Sequence, residues 1–200
     1  MKKILATAAI TAAMTISAPV SAQSVSLDSL LANITAACGA SATLETCDAL
    51  VAQYIAQTAS LPAADRASAI GQIVVAATTA LKSSAGSNAF VVTEIQQIIG
   101  SATSALDAVA ASDPSVAAAV NSAVANVAVA VLEVVEDRDL QDDAGAAVTV
   151  VGALEDLADS SSDNNQANAI DDIASIIEVG GSVTDVIEEI EVVSSYASPA

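Results

Sequence analysis

The chain has 200 residues, 54% of them apolar, with 24 acidic residues against five basic ones and a net charge of −19. So much apolar material excludes a chain kept disordered by its charge, and so few cations exclude the basic surface that nucleic acid recognition needs. Histidine and tryptophan are absent, which removes the commonest general base and most zinc sites.

In chain order, Lys2 and Lys3, the apolar run over residues 4–18 and the small residues Val20, Ser21 and Ala22 predict an export signal cut after Ala22. The run is short for a membrane span. No cysteine follows it, so a lipid anchor is not indicated. The expected organisation is a signal peptide over 1–22 and a single all-α domain over 23–200, with 133–200 its strongly acidic half. Loss of the signal removes two of the five basic residues and no acid, leaving three against 24, or −21. The expected location is a periplasm or the cell exterior.

Leu27, Leu30, Leu31 and Ile34 predict a first helix over 24–37, ended by Gly39. A second is expected over 43–59, with Leu44, Cys47, Leu50, Val51, Tyr54 and Ile55 on its inner face. Cys38 and Cys47 are the only cysteines. In an exported chain their pairing as a structural disulfide is expected; a redox pair or a metal site is the weaker alternative, because the spacing is not Cys-x-x-Cys.

Ser60, Leu61 and Pro62 break that helix and start another, running through Ile70, Ile73, Val74, Ala77 and Leu81. Residues 69–81 align without gaps on 94–106, sharing Ile, Gln, Ile, Ala, Thr, Ala and Leu. The shift of 25 residues, carried further, places Ile70, Ile95, Val120, Gly145 and Ile170 in one column and Ile73, Ile98, Ala123, Val148 and Ile173 in another. Asn88, Asp113 and Asp163 share a column of turn formers that Arg138 interrupts. The pattern predicts helices of roughly 20 residues joined by short loops; chance matching in an Ala/Val-rich chain is the alternative.

Residues 114–132 carry no charge, and Val116, Val120, Val124, Val127, Val131 and Val134 recur at steps of three and four. Capped by Asp113, with Pro114 at its first position, this segment is expected to be a helix surrounded on all sides. Asn121 and Asn126 argue against a permanent membrane span. Residues 136–143 read as a loop rich in oxygen ligands, yet Asp142 stands where an EF-hand needs glycine and Val148 where it needs glutamate. A sixth helix with Ala147, Val148, Val151, Leu154 and Ala158 inward is expected next. A seventh follows, with Ile170, Ile173, Ile176 and Ile177 on one face, begun by a reciprocal capping box of Asp163 and Gln166. Gly180 and Gly181 end it, and a last amphipathic helix is expected from Ser182. Seventeen of the 24 acids lie from Glu133 onward.

These features predict an all-α fold, an antiparallel helical bundle or array of about seven helices. They also predict an exported, non-enzymatic structural or protein-interaction subunit that self-assembles through Ala/Val-rich helix faces. A membrane-active or apolar-ligand-binding protein is the alternative, and an acidic calcium-binding module is third. No cofactor and no nucleic acid partner are expected. The named site residues are Cys38 and Cys47.

Overall fold

A computed structural model describes residues 27–40 and 47–181. The expected signal peptide, the start of the second helix and the helix from Ser182 lie outside the described residues. Among the described residues seven α-helices follow one another: α1 Leu27–Ala40, α2 Cys47–Gln57, α3 Ala63–Lys82, α4 Asn88–Ser112, α5 Ala117–Asp137, α6 Ala144–Ala158 and α7 Asn164–Glu178. No strand occurs among the described residues, so the fold is all-α.

Helices adjacent in sequence are antiparallel, as short loops require, and alternate helices form two layers. In one layer α3 lies between α1 and α5. Gly71 sits opposite Ala123 and Lys82 opposite Glu133 and Asp137, so α3 and α5 run parallel. Gly39 of α1 faces Ala80 of α3 in the same sense. In the other layer α4 lies between α2 and α6, with Asp48 meeting Glu94 and Asp107 meeting Ser160. The last helix, α7, packs mainly on α6. This is a two-layer array in which each helix buries its stripe against neighbours on either side and across the layers.

The core is built from small and β-branched residues. Val120, Val124, Val127, Val131 and Val134 are all buried, as are Ile70, Ile73, Ile95, Ile98 and Ile99. Because alanine and glycine occupy the helix crossings, backbones come close. A methyl group on Gly71 would stand 3.1 Å from the Cβ and 3.2 Å from the Cα of Ala123. At 0.8 kcal/mol or so per buried methylene, such a core gains less per residue than a leucine-rich one and depends on many contacts.

The helix starts keep the 25-residue spacing only between α3 and α4: α3 begins at Ala63, α4 at Asn88, α5 at Ala117, α6 at Ala144 and α7 at Asn164. In four of its five copies the first column is buried, and in four of five the second. The exceptions are Gly145 and Val148, both on α6, where Val148 is 61% exposed. That removes Val148 from the expected inner face of α6, while Ala147, Val151, Leu154 and Ala158 are buried as expected, joined by Ala146, Val150 and Leu157. The cause lies just upstream. After α5 the chain takes a left-handed residue at Asp139 (φ 51°) and a single 3-10 turn over Leu140–Asp142. This delays α6 and rotates its inner stripe away from the register the columns would give.

Other expectations also change. Only the middle helices approach the expected length; α6 and α7 have 15 residues each and α2 has 11. Gly39 lies inside α1, beside Ala80, and does not end the helix. Asp113 does cap, accepting from the Ser115 N–H, but the first turn over Pro114–Val116 is 3-10. The central helix runs on through Glu133 to Asp137, so the first part of the expected acidic loop is helical. Nor is α5 surrounded: Ala118, Ser122 and Asn126 are exposed along one edge. Ile176 is only half-buried. Asp163 caps α7 through the N–H groups of Asn165 and Gln166. The Gln166 side chain does not return the bond but donates to the Asn121 carbonyl at 2.9 Å, tying α7 to α5. Gly180, at φ 72°, and Gly181 close α7 by donating to the carbonyls of Ile177 and Ile176.

Candidate functional site

Along the outer surface of the α3–α5 pair runs a groove with two lobes of about 480 and 450 Å³. The larger is walled by Leu31, Val75, Ala76, Ala125, Val129 and Ala130, with Gly71 beneath. The second continues it towards Ala64 and Val116, and Gln72 and Asn126 border both. The close Gly71–Ala123 approach makes a shallow floor, and the short side chains on either side leave the trough unfilled. Among the described residues Glu133 is the only charged one lining either lobe. Such a continuous uncharged face on a chain of net charge −19 is the kind of patch that marks an interaction site.

Of the three cations among the described residues, two are committed elsewhere. Lys82 lies 2.6 Å from Asp137 and 3.6 Å from Glu133, joining the ends of α3 and α5. Arg138 reaches into the end of α3: Nη2 donates to the Ser84 carbonyl at 2.6 Å, Nη1 to Gly86 at 3.0 Å, and Nε to Lys82 at 3.3 Å. Its own carbonyl accepts from the Asn88 side chain. A rigid fork of donors at the negative end of a helix satisfies several orphan carbonyls at once. The residue that interrupts the column of turn formers thus closes the preceding turn. Arg66, the third, lines a shallow cleft between α2 and α4 with Asp48, Gln97 and Ser101.

One buried ionisable group was not anticipated. Glu94 on α4 has no exposed surface, and its Oε2 accepts from the Asp48 N–H at 3.1 Å in the first turn of α2. Its Oε1 has no hydrogen-bond partner. Burial, reinforced by the neighbouring Asp48 carboxylate, raises its pKa to about 7 from 4.5, and the Asp48 N–H offsets this only in part. The 25-residue columns hold the clue: Ala69, Ala119, Ala144 and Ala169 occupy the equivalent places, so Glu94 is the one acid in a column of alanines. The arrangement holds a proton at a helix junction.

Cys38 and Cys47 are joined, with Cα atoms 4.8 Å apart, linking the end of α1 to the start of α2. Disulfides persist in oxidising compartments. The acids expected to gather in a loop diverge: Asp137 faces Lys82, and Asp143 caps α6 through the Gly145 and Ala146 N–H groups. No group of three metal-ligating side chains occurs among the described residues. At Asp113 the Ser115 hydroxyl and then its N–H hold the carboxylate below its ordinary pKa. Among the described residues one helical stretch, Pro114–Asp137, is long and apolar enough to cross a membrane, and 56% of its most apolar window is buried within the fold. Comparison with family models, curated proteins and solved structures finds no match.

Proposed function

We propose that this chain is an exported, non-enzymatic interaction subunit that works outside the cytoplasm and engages a protein through the α3–α5 face. The observation that carries the reading is charge segregation. Val75, Ala76 and Val129 are left half-buried on a groove bordered, among the described residues, by one acid and no base, while exposed acids such as Glu155, Asp156, Asp171 and Asp172 lie on α6 and α7. Folding has already used the other valine and isoleucine stripes. The disulfide supports an oxidising destination, as does the basic and apolar start of the chain. The absence of histidine and the bridged cysteines leave little for acid–base or thiol chemistry, which supports a binding role.

The test is the native size of the protein in its own compartment. Wild-type protein is expected in a complex larger than the purified chain, and Val129→Glu, which puts a charge into the groove, is expected to release it. Equal sizes for the wild type in both settings would refute the proposal. A second reading is favoured by the larger lobe, whose volume of about 480 Å³ falls within the range of small-molecule pockets: an apolar ligand in place of a protein. A ligand would leave the native size unchanged and would be recovered by solvent extraction of the purified protein.

A further inference from the structure

We infer that the α3–α5 groove seats a cationic amphipathic helix of a partner protein, an inference that rests on the interaction reading above. Shape comes first. The groove follows α3 from Ala64 to Thr79 and α5 from Ser115 to Glu133, a run of roughly 22 Å along α3 at 1.5 Å per residue. That is the length of four helical turns, and an apolar trough between two parallel helices matches the way amphipathic helices are held, by anchors at i, i+3, i+4 and i+7. Gln72 and Asn126, both exposed, stand at mid-groove where the lobes meet, and can meet a polar side chain there.

Charge decides the kind of helix. Glu133 borders one end, and Asp28 lies on α1 one turn before the groove-lining Leu31. Beyond them the chain carries 24 acids against five bases, so the field around the apolar floor is negative and draws a helix with lysine or arginine on its outer face. Among the described residues, a second copy of this chain brings no such face. Its Lys82 is held by Glu133 and Asp137, its Arg138 is spent on the end of α3, and its Arg66 lies in the cleft with α2 and α4. Two copies joined through this groove would also set their acids in a common field.

The probe is an amidated peptide of roughly 15 residues with leucine at helical spacing and lysine elsewhere, labelled for anisotropy. Its counterpart has glutamate in place of lysine. The purified protein is expected to bind the lysine peptide and not the glutamate one. Val129→Glu is expected to weaken binding at least about tenfold although it makes the protein more acidic; general attraction between opposite charges predicts equal or tighter binding. Ala76→Gln, which keeps the net charge, should weaken it in the same direction and serves if Val129→Glu does not fold by circular dichroism. Asp171→Asn on α7 should leave affinity unchanged. Binding indifferent to both groove variants, or equal for the two peptides, overturns the inference. So does a purified protein whose mass by light scattering climbs with concentration and falls with Ala76→Gln, since a second copy is then the occupant. If the native complex depends on Val129 but neither peptide binds, the interaction reading stands and the cationic helix is wrong.

Discussion

Replacing Glu94 by glutamine isolates the cost of one buried acid. In the folded chain this group titrates near 7 against an ordinary 4.5, so the folded state holds a proton that the unfolded state has released across that interval. Stability therefore falls as pH rises from about 4.5 to about 7, because the folded form binds more protons there. Below the interval both states are neutral at this position, and above it both are charged. A shift of this size, at 1.36 kcal/mol or so per unit, corresponds to about 3 kcal/mol. Glutamine keeps an oxygen for the Asp48 N–H, which Glu94 satisfies at 3.1 Å, and never ionises. Urea unfolding of wild type and Glu94→Gln over this pH range measures the difference. The variant should match the wild type below about pH 4.5 and exceed it by about 3 kcal/mol above pH 7. The many surface acids affect both proteins alike, so the difference curve is the quantity to read. A pH-independent difference, or a wild type more stable than the variant at alkaline pH, would refute the placement of Glu94 against Asp48.

Arg138→Met should cost about 2–3 kcal/mol in urea unfolding, because it strands carbonyls at the end of α3, and Arg138→Lys should recover only part of that, since an ammonium lacks the planar fork. Gly71→Ala and Gly100→Ala should shift stability in opposite directions. The first places a methyl 3.1 Å from Ala123 while the second meets nothing within 4 Å, so thermal melts should show Gly100→Ala gaining about 0.5–1 kcal/mol and Gly71→Ala losing stability despite its better helix propensity. Cys38→Ser with Cys47→Ser should lose about 2–3 kcal/mol, the entropy released by opening a short loop, measured against the oxidised wild type under the same conditions. An unchanged midpoint would mean that α1 and α2 are held by packing alone.

Much of this arrangement was legible in the chain because a helix leaves a period that survives alanine-rich composition. The valines from Val120 to Val134 and the isoleucines of α3, α4 and α7 follow from apolar residues having to face a neighbour every turn. Where prediction failed, a tertiary contact had replaced a local rule. Gly39 resembled a helix stop and instead lies within α1, packed beside Ala80. Gln166 resembled half of a capping box and instead holds the Asn121 carbonyl. Val148 followed the column but was rotated outward by the turn after α5. The groove was not legible at all. It is a gap between α3 and α5, and periodicity reports which face of a helix is apolar without saying whether a neighbour covers it.

Whether the α3–α5 face is covered in its natural setting is measured most directly by placing a thiol there. Ser122 is exposed on α5 and borders the second lobe, while Ser175 is exposed on α7 away from it. Ser122→Cys and Ser175→Cys would each be labelled with a maleimide in the native compartment and again after purification. The interaction reading predicts that Ser122→Cys reacts slowly in place and rapidly once purified, with Ser175→Cys reacting alike in both. Equal labelling of Ser122→Cys in the two settings would mean that nothing rests on this face, and the proposed function would be wrong.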